Sequence, residues 1–415
     1  MSIFEKLNGK KMKLSINKVF FFGSVIFFGI LSLPSCNSGA VDEKSFEINL
    51  ISKKWIPDGR EGLFNVTAEQ QKKGTVVLKG ETNIPQAKQE VLDLYKNSVV
   101  ALIDSIRILP DTVENERFSG IITLSVANLR KFPDHASELI SQAILGTPVI
   151  VLKNEDSWLL IQTPDRYIAW TEESSVQRMT VVEMQEWRQS ERAIYLKISG
   201  SIFNSPDESA IVGDIVAGSI IRITGNLNGY LKVLLPDARE GYIRDKELTG
   251  FESWKASLDY SGENLCSVAQ SFMGSPYLWG GSSTKAVDCS GFVQSVYFQN
   301  GRILSRDASL QARHGNVIDI SDGFDDLMKG DLLFFGWKNE SGPHVTHVAI
   351  YIGNYEYIHS TGRVMVNSLD SASNIYNKYR RNSLLSARRI LKIEEYPGII
   401  PVGRHEWYQE VSELK

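Results

Sequence analysis

Residues 288–301 read DCSGFVQSVYFQNG. An acid and a cysteine precede an apolar run that Gly301 closes, which is the pattern of a helix with a glycine stop. Cys289 then falls at the helix N-terminus, where the partial positive charge of the peptide dipoles favours a thiolate, the nucleophilic form. Three readings stand at this point: a nucleophile, half of a disulfide, or a small core residue. Just upstream, ENLCSVAQSFMG (263–274) places Leu265, Val268, Ala269, Phe272 and Met273 on one face of a second helix. Downstream, GDLLFFGW (330–337), HVAIYIGN (347–354) and YEYIHS (355–360) read as strands. Helices followed by strands imply an α+β domain with an antiparallel sheet.

A cysteine nucleophile needs a base, most often histidine. The chain has six histidines: His135, His314, His344, His347, His359 and His405. HVAIYIGNYEYIH puts His347 and His359 at the two ends of a strand–turn–strand pattern. A hairpin centred on Gly353 makes them direct cross-strand neighbours, with Cβ atoms about 4.5–5.5 Å apart. One imidazole then takes the thiol proton and the other orients it. A register slip of one residue would put them on opposite faces. Two polar residues on a half-exposed hairpin is the plain alternative. His344 lies in a Gly-Pro loop that can approach the cleft. His135, His314 and His405 have no visible partner and are expected at the surface. The spacings match neither CxxC nor HExxH, so no metal site and no cofactor are expected.

The chain has 415 residues, 45 basic and 49 acidic, for a net charge of −4. Its 42% apolar and 23% charged content fits folded domains, and the charge balance gives no footprint for nucleic acid. KLNGKKMKLSINK (6–18) and VFFFGSVIFFGILSL (19–33) form a basic head and a short apolar core, as in a secretory signal. Residues 45–115 read as a small α+β unit of unassigned role, with GTVVLKGET (74–82) and ALIDSIRILP (101–110) as strands around a helix from IPQAKQEVLDLYKNSVV (84–100). A diverged internal repeat follows. FPDHASELISQAILGTPVIVL with SWLLIQTPDRYIAW matches NSPDESAIVGDIVAGSIIRIT with GYLKVLLPDAREGYIRD in its Pro-Asp turn, in Gly146 or Gly218, and in its aromatic-ended strand. Short β-runs separated by turns imply small barrels.

The two repeats, at 117–180 and 195–250, resemble bacterial SH3-like domains. GSPYLWGG (274–281), DCSGFVQSVY, GDLLFF and HVAIYIGNYEYIHS occur in the order and at the spacings of the NlpC-type cell-wall cysteine peptidases, a resemblance covering about residues 260–395. LPSC (33–36) resembles a lipobox, so residues 1–35 are expected to be removed and Cys36 lipidated. The whole chain is thus similar to Bacteroides-type envelope lipoproteins of that class: exported, membrane-anchored through Cys36, monomeric, and facing the periplasm or the cell surface. The implied architecture is a papain-like α+β catalytic domain at 258–395, preceded by the two SH3-like barrels and the N-terminal unit.

The resemblance also assigns roles. Cys289 is implied as nucleophile, His347 as general base, His359 as its orienting partner and Tyr277 as an aid to the oxyanion. Asp288, Ser290 and Trp279 are implied peptide contacts, with Asp288 also a natural helix N-cap. Arg306, Asp307 and Gln311, in LSRDASLQ, are implied to shape the cleft. The reaction implied is hydrolysis of the bond between γ-D-glutamate and a diamino acid in murein tripeptides or tetrapeptides. In related multi-domain enzymes the first SH3-like domain reads the free amine of the terminal L-alanine. Glu138 and Tyr167, an acid and an aromatic, are the candidates for that task. The second barrel is a candidate spacer. Cys266, beside its helix's apolar stripe, reads as a small buried residue; a Cys266–Cys289 disulfide would consume the nucleophile. The competing functions are an inert wall-peptide binding module and an acyltransferase.

Overall fold

A computed structural model of the chain describes residues 38–96, 99–112, 116–393, 396 and 398–409. The expected signal segment and Cys36 lie outside the described residues. Among those described, no helix is long and apolar enough to cross a membrane.

The N-terminal unit begins with the helix Ser38–Trp55, ahead of the boundary expected at 45. Strand Phe64–Gln70 pairs antiparallel with Thr75–Thr82, which pairs in parallel with Ala101–Ile108 through the crossover helix Pro85–Tyr95. Ala87, Val91 and Tyr95 give that helix its buried stripe, and Pro85 sits at its first turn, where no backbone donor is needed.

The two repeats fold alike. In the first, strands Ser119–Ile122, Val126–Arg130, Leu139–Ile144, Pro148–Glu155, Trp158–Gln162, Ile168–Glu172 and Val176–Met179 form one seven-stranded sheet. The seven strands of the second, from Arg192–Tyr195 to Leu248–Gly250, take the same spatial order, each as the counterpart of one in the first. The repeated glycine explains how the copies meet. Gly146 has φ +82°, and a Cβ there would lie 1.8 Å from the carbonyl oxygen of Ile220 in the second barrel. The adjoining Ile220 N–H donates to Leu145 O at 3.0 Å.

Between the barrels runs the helix Val181–Gln189, started by a reciprocal cap between Thr180 and Glu183. Its Met184 and Trp187 enter a core shared by several units: Ile121 of the first barrel, Ile194 and Ile220 of the second, Phe251, Trp254, Ile303 and, from the C-terminal segment, Val402 and Tyr408. Burying a large apolar side chain contributes about 1.5–3 kcal/mol, so this common core ties the units together. The second barrel is therefore more than a spacer. It also holds the catalytic domain through Thr284 Oγ1 to Ile198 O (2.5 Å).

The last domain packs the helices Gly262–Ser271 and Cys289–Gln299 against a six-stranded sheet, antiparallel throughout. Leu265, Ala269, Phe272, Phe292, Val293 and Val296 fill that interface. Met273 stays exposed, because its helix stops at Ser271. Past the boundary expected at 395, strand Ile399–Pro401 returns to pair with Arg302–Leu304.

Candidate active site

Cys289 is the first residue of the helix Cys289–Gln299. Asp288 caps that helix by accepting from Gly291 N at 2.7 Å. The same carboxylate accepts from Gly280 N (3.0 Å), Ser290 Oγ (3.2 Å) and both terminal nitrogens of Arg306 (3.1 and 2.6 Å). Arg306 is 1% exposed. Its remaining donors reach Ser141 of the first barrel (3.0 Å) and Ser290 Oγ (2.9 Å). Gln311 donates to Ser290 O and Ser305 O. A Cβ on Gly291 would stand 2.0 Å from Gly281 O, so only glycine lets the helix start press against the loop that bears Tyr277 and Trp279. Asp288, Ser290, Arg306 and Gln311 are thus the scaffold under the cysteine, all buried.

The Cys289 thiol lies against the backbone N–H of Val348, next to His347. Burial, and then the Asp288 charge, push it up to about 11, while the Val348 and Ser290 amides and Arg306 pull the other way. The sequence leads one to expect the helix terminus to favour a thiolate; here desolvation outweighs that pull. Cys266 is free as well, buried beside Tyr351 O at 3.8 Å, so neither thiol is spent in a disulfide.

His347 and His359 touch, with Nε2 of the first 2.7 Å from Nδ1 of the second. Their placement differs from direct opposition. The turn is made by Asn354 and Tyr355, both at positive φ (52° and 60°), as in a type I′ hairpin. A bulge between Tyr351 and Gly353 then sets the register Ile350↔Ile358 and Tyr351↔Tyr357. Continued, that register faces His359 with Ala349 and makes His347 its diagonal neighbour on the same face. His359 Nε2 meets Asn367 Oδ1 at 3.0 Å, a residue the sequence reading does not single out. Asn367 Nδ2 donates to Ile375 O (3.1 Å), which turns its oxygen toward His359. The tautomers follow. His359 carries its proton on Nε2 and accepts on Nδ1; His347 donates from Nε2, and its Nδ1 is left as a free base. Burial holds both rings neutral, lowering His359 to about 4 and His347 well below its ordinary value.

Tyr277 is near enough that Cys289 and Asp288, after burial itself, raise its hydroxyl to about 12. Trp279 is exposed and donates from Nε1 to Glu138 (3.0 Å), joining the catalytic loop to the first barrel. Glu138 and Tyr167 have different partners. Tyr167 is 4% exposed, its ring enclosed in the barrel core, so it offers its hydroxyl rather than a ring face. That hydroxyl lies near Asp307, whose charge, after burial, helps push it up. Asp307 takes Nη1 of Arg60 at 2.8 Å, and burial pushes its carboxyl up against the pull of Arg306 and Arg60. Arg60 belongs to the loop after the first helix. Asp58 holds it through Nε and Nη2, both at 2.7 Å, and its carbonyl accepts from Ile168 N. The unit with no assigned role therefore reaches the cleft.

The remaining histidines separate. His344 stacks on the exposed Trp337. His135 is exposed beside Trp158. His314 is half-buried against Tyr396. His405 is buried, not at the surface, with Nε2 3.0 Å from Pro164 O.

Residues 274–389 match the model of the NlpC/P60 family, and residues 129–176 match that of the bacterial dipeptidyl-peptidase Sh3 domain. The probable endopeptidase NlpC of Escherichia coli is 42% identical over 126 residues, which cover 29% of this chain and 73% of that protein. The chain belongs to the NlpC/P60 family. Dipeptidyl-peptidase 6 of Lysinibacillus sphaericus is 28% identical over 63% of this chain and 95% of its own length. The gamma-D-glutamyl-L-lysine dipeptidyl-peptidase of Bacillus subtilis is 27% identical over 57% of this chain and 78% of its own. An NlpC/P60 family protein from Bacillus cereus superposes with a TM-score of 0.55 at 23% identity, covering 66% of this chain and 99% of that one. The NlpC/P60 domain with its SH3-like companions is thus the architecture of this molecule.

Proposed function

We propose that the chain is a cysteine peptidase that cuts the γ-D-Glu–diamino acid bond of short cell-wall peptides bearing a free N-terminal L-Ala. The observation that carries this is the chain His347, His359, Asn367 beside the buried Cys289 at its helix start, with the carboxylate of Asp307 held by Arg60 nearby. His347 Nδ1 takes the thiol proton as sulfur attacks the γ-carbonyl, so no standing thiolate is required. Tyr277 stabilises the oxyanion. His347 then returns the proton to the leaving amine, which leaves a thioester on Cys289. Water, deprotonated by His347, hydrolyses the thioester and restores the thiol. Asp307 meets the substrate ammonium at the closed end of the cleft, with Tyr167 orienting it and Glu138 and Trp279 forming the rim. Asp288, Ser290 and Arg306 hold the nucleophile's helix from beneath rather than touching the peptide. Relatives named for γ-D-glutamyl-L-lysine cleavage support the choice of bond. The basic and apolar segment ending at Cys36 supports export and anchoring by lipid in the cell envelope.

The test uses mature protein with and without Cys289→Ala. Each is incubated with L-Ala-γ-D-Glu-diamino acid and with its N-acetyl form, and products are identified by mass. Release of L-Ala-γ-D-Glu from the free peptide alone, lost in the variant, is expected. Cleavage of both peptides would remove the amine requirement. Cleavage of neither would favour an inert binding module.

A further inference from the structure

Arg380 stands in the helix Lys378–Ser383, whose N-cap Asn377 accepts from the Arg380 backbone N–H at 3.0 Å. Asn377 also donates to Asn367 Oδ1 at 3.4 Å, so this short helix is tied to the end of the histidine chain. The Arg380 guanidinium rests 5.8 Å over the ring of Phe335 and 5.4 Å over that of Tyr379. Phe335 in turn lies 5.7 Å from the ring of His347 and 5.6 Å from that of Tyr357. From this position its charge acts on His347, His359, Cys289 and Tyr277.

Among the described residues, no carboxylate pairs with Arg380 and no acceptor takes a hydrogen bond from its guanidinium. Asp288 and Asp307 are already engaged, the first by Arg306 and the second by Arg60. A half-buried guanidinium beside a reacting centre, stacked on aromatics with its fork open, matches a planar anion in charge and geometry. Its seat over Phe335, whose ring adjoins that of His347, puts this charge on the histidine side of the site.

We propose that Arg380 is the receptor for a substrate carboxylate in this cleft. The inference rests on the peptidase reading above and sharpens its substrate class to peptides that carry an anion beside the cut bond. Two carboxylates qualify: the terminal one on the leaving diamino acid, and the α-carboxylate that a γ-linked glutamate leaves free.

The experiment compares L-Ala-γ-D-Glu-L-Lys with two analogues, one amidated at the lysine terminus and one carrying isoglutamine, against wild type, Arg380→Gln and Arg380→Lys. Thermal melts and the spectra of both variants report folding. Wild type is expected to prefer the free acid over one of the amides by about tenfold or more in kcat/KM, as a charge-assisted fork implies. Arg380→Gln should bring that ratio close to one, and Arg380→Lys should keep part of it. Loss confined to the terminal-amide arm identifies the leaving residue as the source; loss confined to the isoglutamine arm identifies the glutamyl carboxylate. An equal loss on acids and amides, or a ratio that survives Arg380→Gln, overturns the proposal. Calorimetric binding of the same three peptides to Cys289→Ala, with and without Arg380→Gln, separates the two hypotheses. If wild type cuts none of them, the peptidase reading fails, and the acid-over-amide binding ratio still decides Arg380. Absence of any such ratio counts against it.

Discussion

Arg306→Met severs the buried pair beneath the nucleophile, and the bonds on either side set the scale. Removing one member of a buried ion pair costs about 3–5 kcal/mol, because the other charge is left without compensation. After Arg306→Met the Asp288 carboxylate still accepts from Gly280 N, Gly291 N and Ser290 Oγ. Three donors blunt the penalty, so the loss belongs near about 3 kcal/mol. Asp288→Asn is the harsher change. Asparagine still caps the helix, but Arg306 cannot shed its charge and keeps only Ser141 and Ser290 as firm partners. That variant should lose about 4–5 kcal/mol. The double variant removes both charges and should fall short of the summed loss by at least about 2 kcal/mol. Urea denaturation gives the global values, and hydrogen exchange of the amides in Cys289–Gln299 gives the local one. Single losses under about 1 kcal/mol, or a double variant that simply adds, would refute the view that the pair holds the catalytic helix.

Asn367→Leu should leave the fold in place and reduce kcat by about 10–100-fold, the usual effect of removing a partner that fixes an imidazole; an unchanged kcat would mean that His359 needs no orienting. The lowered histidine values fix an acid limb. A histidine held neutral by burial contributes stability that is complete above the unfolded value of about 6.5 and is lost as pH falls toward the folded value, about 4 for His359. Stability followed by circular dichroism should thus decline between about pH 6.5 and 4, and His359→Gln should flatten that decline. The raised Cys289 value predicts the opposite limb: alkylation by iodoacetamide should keep accelerating from pH 7 through 10, with a plateau below pH 8 marking a preformed thiolate instead. Arg60→Ala removes a cation from the carboxylate proposed to meet the substrate ammonium, so KM for the free-amine peptide should fall about threefold, an effect kept small by solvent screening. A rise in KM would show that Arg60 orders Asp307 rather than competing for it.

Much of the catalytic domain is legible in local pattern. The acid-capped apolar run at 288–301 and the apolar stripe from Leu265 to Phe272 mark the two helices, because each needs only its own residues to declare a buried face. The hairpin bearing His347 and His359 is legible too, but its register is not. That register depends on where the turn falls, and Asn354 and Tyr355 form it at positive φ just past Gly353, which is also at positive φ. Asn367 lies one strand beyond, and its meeting with His359 depends on pairing across two hairpins. Arg60 and Arg380 are ordinary surface arginines in sequence; only docking between units and the packing of a six-residue helix bring them to the cleft. The helix Ser38–Trp55 carries more polar than apolar residues, so it gives little periodic signal.

The bridge from Arg60 to Asp307 also bears on how far this molecule can be treated as a set of interchangeable modules. Its cleft is stitched from stretches near residues 60, 138–167, 277–311, 347–367 and 380, drawn from three structural units. A catalytic cassette grafted onto foreign SH3-like partners would keep its nucleophile and its histidines. It would lose Ser141 beneath Arg306, Glu138 beside Trp279 and the cation on Asp307. Recombination in this family, by evolution or by design, must therefore move the contacts together or accept a different diet.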